Sequence, residues 1–376
     1  MKKRIGIDAR FASDGSGLGR YARKLLEFVI KHGQDYDFTV LVNKGEEGVV
    51  DFPEKNYRVV GIPYKHYSFG EQIGYLWYLW REKFDLVHFS NFNHPIFYRG
   101  KFVVTIHDLT LMFYPGRIRR LWLGPDVIQW AYRMTMENAV KNSSKVIAIT
   151  EYTKQDVIKY LKGDSEKIEV ILEAADEKFK PVKDEKRINQ VLDKYGLNRP
   201  FYLFVSNLRV HKNVERMVAG FERVRDGGLD VQLMVVGKED PRYPEAMQAI
   251  KSSKHAKHII APGFVPDEET AVMYTKAIAF VYPTLYEGFG LTGLEAMACD
   301  VPVIAAEASC LPEVFGDSVL WFDPYDVEDI ARAMRKIATN ENLRQDLIKK
   351  GRKQFNKYSW DKMGREIVEL YDRILV

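Results

Sequence analysis

The 376-residue sequence predicts an α/β fold built from two doubly wound, Rossmann-like domains with parallel sheets. Short apolar runs alternate with helical patterns along most of the chain, which is typical of βαβ units. The alternation stops once, in a charged and irregular stretch from Phe179 to Pro200, and then starts again. The length suits two domains at about 150 residues each, and each is large enough to bury a core.

The first domain is predicted over residues 1–180. A helix is expected from Arg20 to Lys31, because its apolar residues recur at i, i+3, i+4, i+7 and i+8 on one face. These residues are Ala22, Leu25, Leu26, Val29 and Ile30. The predicted strands are RIGIDAR, FTVLVN, DLVHFS, KFVVTIHD and KVIAIT.

The second domain is predicted over residues 181–359, and a helical pattern at about 360–376 is expected to complete the first domain. Its predicted strands are FYLFVS, VQLMVVG, KHIIAPG, AIAFVYPT and VPVIAA. Two such domains facing each other make a cleft, and ligands bind at the carboxyl ends of parallel strands. We therefore expect the functional residues in the loops that follow the strands.

Composition narrows the function classes. The formal charge of +4 gives no support for nucleic-acid binding. Two cysteines, without CxxC or a Cys/His cluster, indicate a reducing compartment and no structural metal. The N-terminus predicts a strand rather than a signal peptide, and no apolar run reaches the ~18 residues of a membrane span. We expect a cytoplasmic protein.

Two aromatic-rich segments leave a peripheral membrane contact open. They are GYLWYLW, from Gly74 to Trp80, and the segment from Arg117 to Trp130, which carries Arg117, Arg119 and Arg120. The second segment predicts either a contact with the anionic inner face of the plasma membrane or a buried amphipathic helix with a solvated basic end. The sequence does not separate these alternatives.

Each predicted domain has a glycine-rich turn between a strand and a helix. The first contains Gly15, Gly17 and Gly19, and the second contains Gly288, Gly290 and Gly293. Such turns either cradle a phosphate or sugar with their amides or are merely structural, and a pair of them favours binding. A dinucleotide site is disfavoured, because the first turn runs GxGxG rather than GxGxxG.

Charged residues follow two predicted strands. VSNLRVHKN supplies Arg209, His211 and Lys212 within four residues. Either Arg209 and Lys212 neutralise a diphosphate, or the stretch is a solvated basic loop. In VTIHDLT, His107 and Asp108 end a buried strand, where they either face a cleft or are hydrogen-bonded at the core edge.

The stretch YEGFGLTGLEAMACD frames a nearly bare backbone with Glu287 and Glu295. Glu287 precedes the predicted helix, where a carboxylate is suited to accept hydrogen bonds from hydroxyl groups. Glu295 has two interpretations, since Thr292 three residues before it matches the spacing of a capping box. It either caps the helix or contacts a ligand.

Together these motifs resemble the retaining glycosyltransferases of family 4, which have the GT-B fold, over essentially the whole chain. The resemblance rests on GSGLGRY, HDLT, VSNLRVHKN, APGFVPDEE, the E-x7-E block EGFGLTGLE and the terminal YSW helix. It implies that Glu287 contacts the hydroxyls of the donor sugar and that Glu295 holds the nucleotide ribose. It also implies further donor contacts: Lys212 and Arg209 with the diphosphate, Gly17 with the donor phosphate, His107 in the sugar pocket, Gly263 and Phe264 near the base, and Gly288, Phe289, Gly290, Leu291 and Thr292 beside the sugar.

The activity that this resemblance implies is transfer of a hexose from a nucleoside-diphosphate sugar to a hydroxyl of a glycan or lipid-linked acceptor, with retention and without a metal or cofactor. The sequence is most similar to the mannosyltransferase branch, which favours GDP-mannose over UDP-glucose or UDP-N-acetylglucosamine. A sugar-nucleotide epimerase, a phosphorylase and a non-catalytic sugar-nucleotide-binding subunit are the alternatives.

The chain departs from the family pattern at three places. Thr292 and Asp300 stand where the family often has proline and glycine, and LEAAD replaces the common PNGVD before Asp176. Thr292 is expected to influence which donor fits. An aspartate at 300 predicts a turn that needs no positive φ.

Overall fold

The structure is a computed structural model that describes residues 2–116 and 125–376. The predicted basic cluster of Arg117, Arg119 and Arg120 lies outside the described residues. The described chain divides into two compact units. The first unit comprises the described residues up to Pro115, residues 125–173, and the C-terminal segment Ser359–Val376. The second unit comprises Ala174–Tyr358.

Within the described residues, the first unit holds a seven-stranded sheet in which every pairing is parallel. Its strands are β1 (Lys3–Asp8), β2 (Tyr36–Asn43), β3 (Tyr57–Ile62), β4 (Leu86–Phe89), β5 (Phe102–Ile106), β6 (Lys145–Ala148) and β7 (Ile168–Val170). Their order across the sheet is β3-β2-β1-β4-β5-β6-β7. The five predicted strands are all present, and the edge strands β3 and β7 are additional.

The helices of the first unit connect these strands. They are α1 (Gly17–His32), a π-helical turn (Glu71–Tyr75) that continues into α2 (Leu76–Glu82), α3 (Thr110–Phe113), α4 (Pro125–Asn142) and α5 (Glu151–Leu161). In α1, the predicted apolar face is confirmed, because Ala22, Leu25, Leu26, Val29 and Ile30 are all buried.

The second unit holds, within the described residues, a six-stranded parallel sheet in the order β10-β9-β8-β11-β12-β13. Its strands are β8 (Phe201–Val205), β9 (Gln232–Val236), β10 (Ile259–Gly263), β11 (Ala279–Tyr282), β12 (Val303–Ala306) and β13 (Val319–Phe322). Its helices are α6 (Glu185–Lys194), α7 (Val214–Asp226), α8 (Glu245–Ser252), α9 (Asp267–Lys276), α10 (Leu291–Ala298), α11 (Leu311–Phe315), α12 (Val327–Thr339) and α13 (Glu341–Phe355).

The last helix, α14 (Trp360–Leu375), belongs to the first unit and packs against α1. A Cβ at Gly364 would lie 2.5 Å from the Cβ of Phe28, so glycine is what allows the two helices to approach this closely. Asp361 pairs with Lys31 and His32 on the same helix face. Among the described residues, no helix is long and apolar enough to cross a membrane.

Both sheets reverse their strand order at one point, which lies between β1 and β4 in the first unit and between β8 and β11 in the second. In doubly wound sheets, the loops at the carboxyl ends of the strands beside this reversal form a ligand-binding crevice. Each unit therefore has a defined edge at which functional side chains are expected.

Candidate functional site

In the second unit, Lys212 lies in a 3-10 turn, Val210–Lys212, that follows β8. The next residue, Asn213, adopts the left-handed conformation with φ of 57°. Its side-chain Nδ2 donates to the carbonyl of Pro283 at 3.0 Å and to that of Pro324 at 2.8 Å. This amide therefore ties the loop after β8 to the loops after β11 and β13, and it holds Lys212 in place.

Glu287 lies in the loop after β11, the strand next to β8. Its backbone N–H donates to Oγ of Ser309, in the loop after β12, at 3.0 Å. Thr284 Oγ1 donates to the carbonyl of His211 at 3.1 Å, and the N–H of Leu285 donates to the same carbonyl at 2.7 Å. Three neighbouring strand ends are thus joined by hydrogen bonds that position Glu287.

The two predicted residues meet at the strand reversal. Lys212 Nζ and Glu287 Oε1 form an ion pair, with side chains that are 9% and 14% exposed. An ammonium group has three N–H donors. Among the described residues, the ammonium of Lys212 donates to Glu287. The pair therefore combines a cation suited to phosphate with a carboxylate suited to hydroxyl groups, and both have hydrogen-bonding capacity to spare.

Arg209 precedes the same turn and is half-buried, and it forms no ion pair with a described residue. His211 is buried, and burial together with the charges of Lys212 and Arg209 lowers its pKa to about 2. The histidine is therefore neutral. The cations of this loop are therefore Arg209 and Lys212, the two residues to which the sequence analysis assigned the diphosphate.

The helix after Glu287 begins differently from the capping-box prediction. Its N-cap is Gly290, with φ of 100°, and no side chain caps it. Leu291 and Thr292 are the first residues of α10, so Thr292 is too late to be the N-cap and the capping interpretation of Glu295 is wrong. Glu295 lies in mid-helix and is only 2% exposed.

The end of α10 corrects another expectation. Asp300 has φ of 61°, whereas the sequence predicted no positive φ there. Its N–H donates to the carbonyl of Met297, and the N–H of Val301 donates to that of Ala296, which is the Schellman arrangement. Aspartate tolerates the left-handed region better than most residues, and its carboxylate pairs with Arg352.

The other predicted donor contacts of the second unit lie in two loops. Gly288 and Phe289 are buried between β11 and α10, and the ring of Phe289 packs edge-on against Tyr358 at 5.3 Å. The side chain of Phe289 is therefore part of the core of the second unit. Gly263 ends β10 with φ of 87°, and Phe264 after it is 75% exposed.

In the first unit, His107 follows β5 and is buried. Its Nδ1 lies 2.8 Å from Glu173 Oε1, and its Nε2 lies 2.9 Å from the carbonyl oxygen of Ser90. Burial alone lowers the pKa of His107, but the hydrogen bond and charge of Glu173 outweigh it and the pKa is raised. Both ring nitrogens face acceptors, so the pair favours an imidazolium that donates twice.

A second buried cluster lies at the end of β1. The Arg10 guanidinium pairs with Asp8 and Glu71 at 2.7 Å each, and it also donates to the carbonyl of Tyr64. Burial raises the pKa of Asp8, but the charge of Arg10 outweighs it and the pKa is lowered. Gly17, by contrast, is the exposed first residue of α1, where its amide belongs to the positive end of the helix.

Sequence reasoning missed the residues that hold the predicted ones. Asn213 ends the stretch VSNLRVHKN and Thr284 ends AIAFVYPT, but the sequence analysis gave neither of them, nor Ser309, a role. The available signal is that each lies in a loop that follows an apolar strand. Glu173 belongs to LEAAD, the stretch that departs from the family pattern. Among the described residues, no group of three or more His, Cys, Asp or Glu side chains could hold a metal ion.

Comparisons with known proteins agree with this architecture. The glycosyltransferase family 4 model matches residues 15–178, and the model for glycosyl transferases group 1 matches residues 185–354. The chain belongs to the family 4 glycosyltransferases. This glycosyltransferase therefore carries a matched family domain in each half of the chain, and the predicted family and GT-B fold are confirmed.

Its relatives include two mannosyltransferases. The serotype-specific mannosyltransferase WbdA of Escherichia coli is 29% identical over 279 residues, which cover 73% of this chain and 34% of WbdA. The glycosyltransferase thus spans about a third of that relative. The O-antigen chain mannosyltransferase RfbU of Salmonella typhimurium is 25% identical, and the match covers 96% of each chain.

Solved structures agree on the fold. Sucrose-phosphate synthase from Thermosynechococcus elongatus superposes with a TM-score of 0.77 and 19% sequence identity, over 99% of each chain. The shared architecture extends over nearly the full length of this glycosyltransferase.

Proposed function

We propose that the protein transfers mannose from GDP-mannose to a hydroxyl group of a glycan or lipid-linked acceptor, with retention at the anomeric carbon. The observation that carries this proposal is the Lys212–Glu287 pair at the strand reversal of the second unit. The donor sugar is inferred from the mannosyltransferase relatives. The lipid-linked or polysaccharide acceptor is inferred from the O-antigen relative.

The pair has the chemistry that this donor requires. A sugar nucleotide presents an anionic diphosphate directly beside a polyhydroxylated ring. We propose that Lys212 and Arg209 bind the diphosphate and that Glu287 accepts hydrogen bonds from the sugar hydroxyls. Donor binding would then break the Lys212–Glu287 ion pair, because a phosphate oxygen would take the place of the Glu287 carboxylate beside Lys212.

The mechanism that follows is a front-face displacement. The bond between the anomeric carbon and the diphosphate oxygen breaks, the acceptor oxygen bonds to the same face, and its proton passes to the departing diphosphate. Lys212 and Arg209 stabilise the negative charge that develops on the leaving group. The mechanism uses no protein nucleophile, and these two cations supply the charge balance that a metal ion would otherwise give.

The remaining donor contacts are proposals on the same basis. Gly288 and the amides of Phe289, Gly290 and Leu291 precede or open α10, so they lie at the positive end of that helix, which favours an anionic ligand. Glu295 is assigned to the nucleotide ribose, and Gly263 with Phe264 to the base. Thr292 is assigned to donor choice and Gly17 to the donor phosphate. His107 is assigned to the wall of the sugar pocket, because both of its ring nitrogens are already hydrogen-bonded to Glu173 and Ser90.

A donor screen tests the proposal. Thermal unfolding is measured with GDP-mannose, UDP-glucose, UDP-N-acetylglucosamine and ADP-glucose in the presence of a chelator, followed by NMR of the anomeric configuration of the product. We expect the largest stabilisation with GDP-mannose and an α-linked product. A larger shift with a UDP sugar would show that this sugar, and not GDP-mannose, is the donor. Turnover driven by phosphate and a glucan would indicate a phosphorylase instead.

The two glutamates separate the proposed roles. Glu287→Ala should lower kcat by about 100-fold or more, because it removes a contact to the reacting sugar. Glu295→Ala should mainly raise KM for the donor, since a ribose contact lies far from the reacting carbon. The reverse pattern in steady-state kinetics would overturn this division. Glu313→Ala, an exposed change on α11, is the control.

A further inference from the structure

Four large apolar side chains form an exposed stripe on one helical face of the first unit. They belong to the continuous helical segment from residue 69 to residue 82, in which the π-helical turn leads into α2. Phe69 is 88% exposed, Ile73 70%, Trp77 58% and Trp80 53%. We call these four residues the aromatic stripe.

The stripe is not the core-facing side of an amphipathic helix. Tyr75, Leu76 and Leu79 of the same segment are buried and already form its core-facing side. The segment therefore has apolar residues on both sides, and the outer side is in water. A contiguous apolar surface of this kind usually marks a binding site.

A further exposed aromatic residue belongs to the same surface. Gln72 Oε1 accepts from the N–H of Ile96 at 2.9 Å, and its Nε2 donates to the carbonyl of His94. These bonds fix the loop after β4 beside the helical segment. Phe97 in that loop is 60% exposed, so it widens the apolar surface.

The exposed charges of the segment and its margins are positive. Both acids of the segment are held in ion pairs, Glu71 with Arg10, which also pairs with Asp8, and Glu82 with Arg4 and Arg58. The exposed cations at its margins, by contrast, form no ion pair with a described carboxylate. These cations are Lys65, Arg81 and Lys83.

We infer that the aromatic stripe docks on an anionic lipid bilayer. Tryptophan and phenylalanine rings suit the boundary between headgroups and acyl chains, and flanking cations suit anionic headgroups. A protein partner would also cover the apolar residues, but the unpaired cations at the margins favour a surface of uniform negative charge. The inference deepens the proposed function, since a lipid-linked acceptor is presented at such a surface.

Vesicle co-sedimentation tests the inference directly. The full chain is mixed with vesicles of phosphatidylcholine alone or of phosphatidylcholine and phosphatidylglycerol, at low and high salt. We expect binding to the anionic vesicles that weakens with salt. Trp77→Ser/Trp80→Ser should reduce the bound fraction about tenfold, and Trp77→Phe/Trp80→Phe should retain most of it.

Matched variants make the result specific. Tyr325→Ser removes an aromatic ring that is 63% exposed in the second unit, and it should bind vesicles like the wild type. Three results would overturn the inference. The wild type does not bind vesicles, the serine double variant binds them as well as the wild type, or Trp130→Ser causes the loss of binding instead. Self-association that the double variant abolishes without lipid would assign the stripe to a second copy.

The donor screen, run without lipid, keeps the two proposals separate. The serine double variant should show the wild-type thermal shift with donor, because the stripe contains none of the proposed donor contacts. Vesicle binding without any donor response would refute the proposed function and leave the docking surface standing. A donor response without vesicle binding would refute the docking surface and leave the proposed function standing.

Discussion

The charged pairs at the strand ends of the two units differ in how completely they are satisfied. In the first unit, Arg10 donates to Asp8, Glu71 and a carbonyl, and its side chain is fully buried. In the second unit, the ammonium of Lys212 meets one carboxylate, Glu287, and both side chains keep some exposure. The first arrangement is closed to further ligands, whereas the second can exchange partners.

This difference suggests which charged residues fix the fold and which bind a ligand. A buried ion pair whose members have all their hydrogen bonds is costly to open, because separation leaves charges without compensation. A pair with unused donors can be opened by an incoming anion that supplies replacement bonds. We therefore assign a structural role to Arg10 and a ligand-binding role to Lys212.

The same substitution in both places gives the largest expected contrast in stability. Arg10→Met leaves Asp8 and Glu71 buried without a cation, and should lower the free energy of unfolding by about 3–5 kcal/mol. Lys212→Met leaves one carboxylate that keeps 14% exposure, and should cost less, about 1–2 kcal/mol. Urea denaturation of both variants measures the difference. Similar losses would remove the distinction between the two regions.

The His107–Glu173 pair gives a smaller, pH-dependent effect. Because its folded-state pKa is raised, protonated His107 contributes stability that is fully present below the pKa of the unfolded chain and is lost as pH rises through the folded pKa. The free energy of unfolding of the wild type should therefore exceed that of Glu173→Gln by about 1–3 kcal/mol at low pH. The gap should narrow above about pH 6.5.

The matched control for that experiment is Glu166→Gln, the same exchange at an exposed position of the first unit. Its free energy of unfolding should run parallel to the wild type across the pH range. A constant gap between the wild type and Glu173→Gln would show that the pair does not titrate as described. NMR titration of the His107 ring provides the direct check on its pKa.

Much of the fold could be predicted because strands buried on both faces are continuous apolar runs. β5 and β11, for example, are buried at every position. The strands that the sequence analysis missed are β3, β7 and β13, which lie at sheet edges. Their residues are only partly buried. A charged residue interrupts the apolar pattern of β3 and of β7, whereas β13 is a run of only four apolar residues, which is too short to separate a strand from a helix.

The candidate site was predicted in part, for a physical reason. Lys212 and Glu287 lie in the loops that follow β8 and β11, and a parallel sheet brings such loops to one edge. Glu173 was missed because its partner His107 lies 66 positions earlier, and no local pattern reports that contact. The capping prediction at Thr292 failed because Gly290, with its positive φ, starts the helix two residues earlier.

The central claim is that Lys212 binds the donor diphosphate and Glu287 binds the donor sugar. Calorimetric titration of GDP and GDP-mannose into the wild type, Lys212→Ala and Glu287→Ala tests it most directly. We predict that Lys212→Ala weakens both ligands by about 100-fold, since a charge-assisted contact is lost. Glu287→Ala should bind GDP at least as tightly as the wild type but lose the preference for GDP-mannose. Equal loss of GDP binding in both variants, or no loss in Lys212→Ala, would contradict the claim.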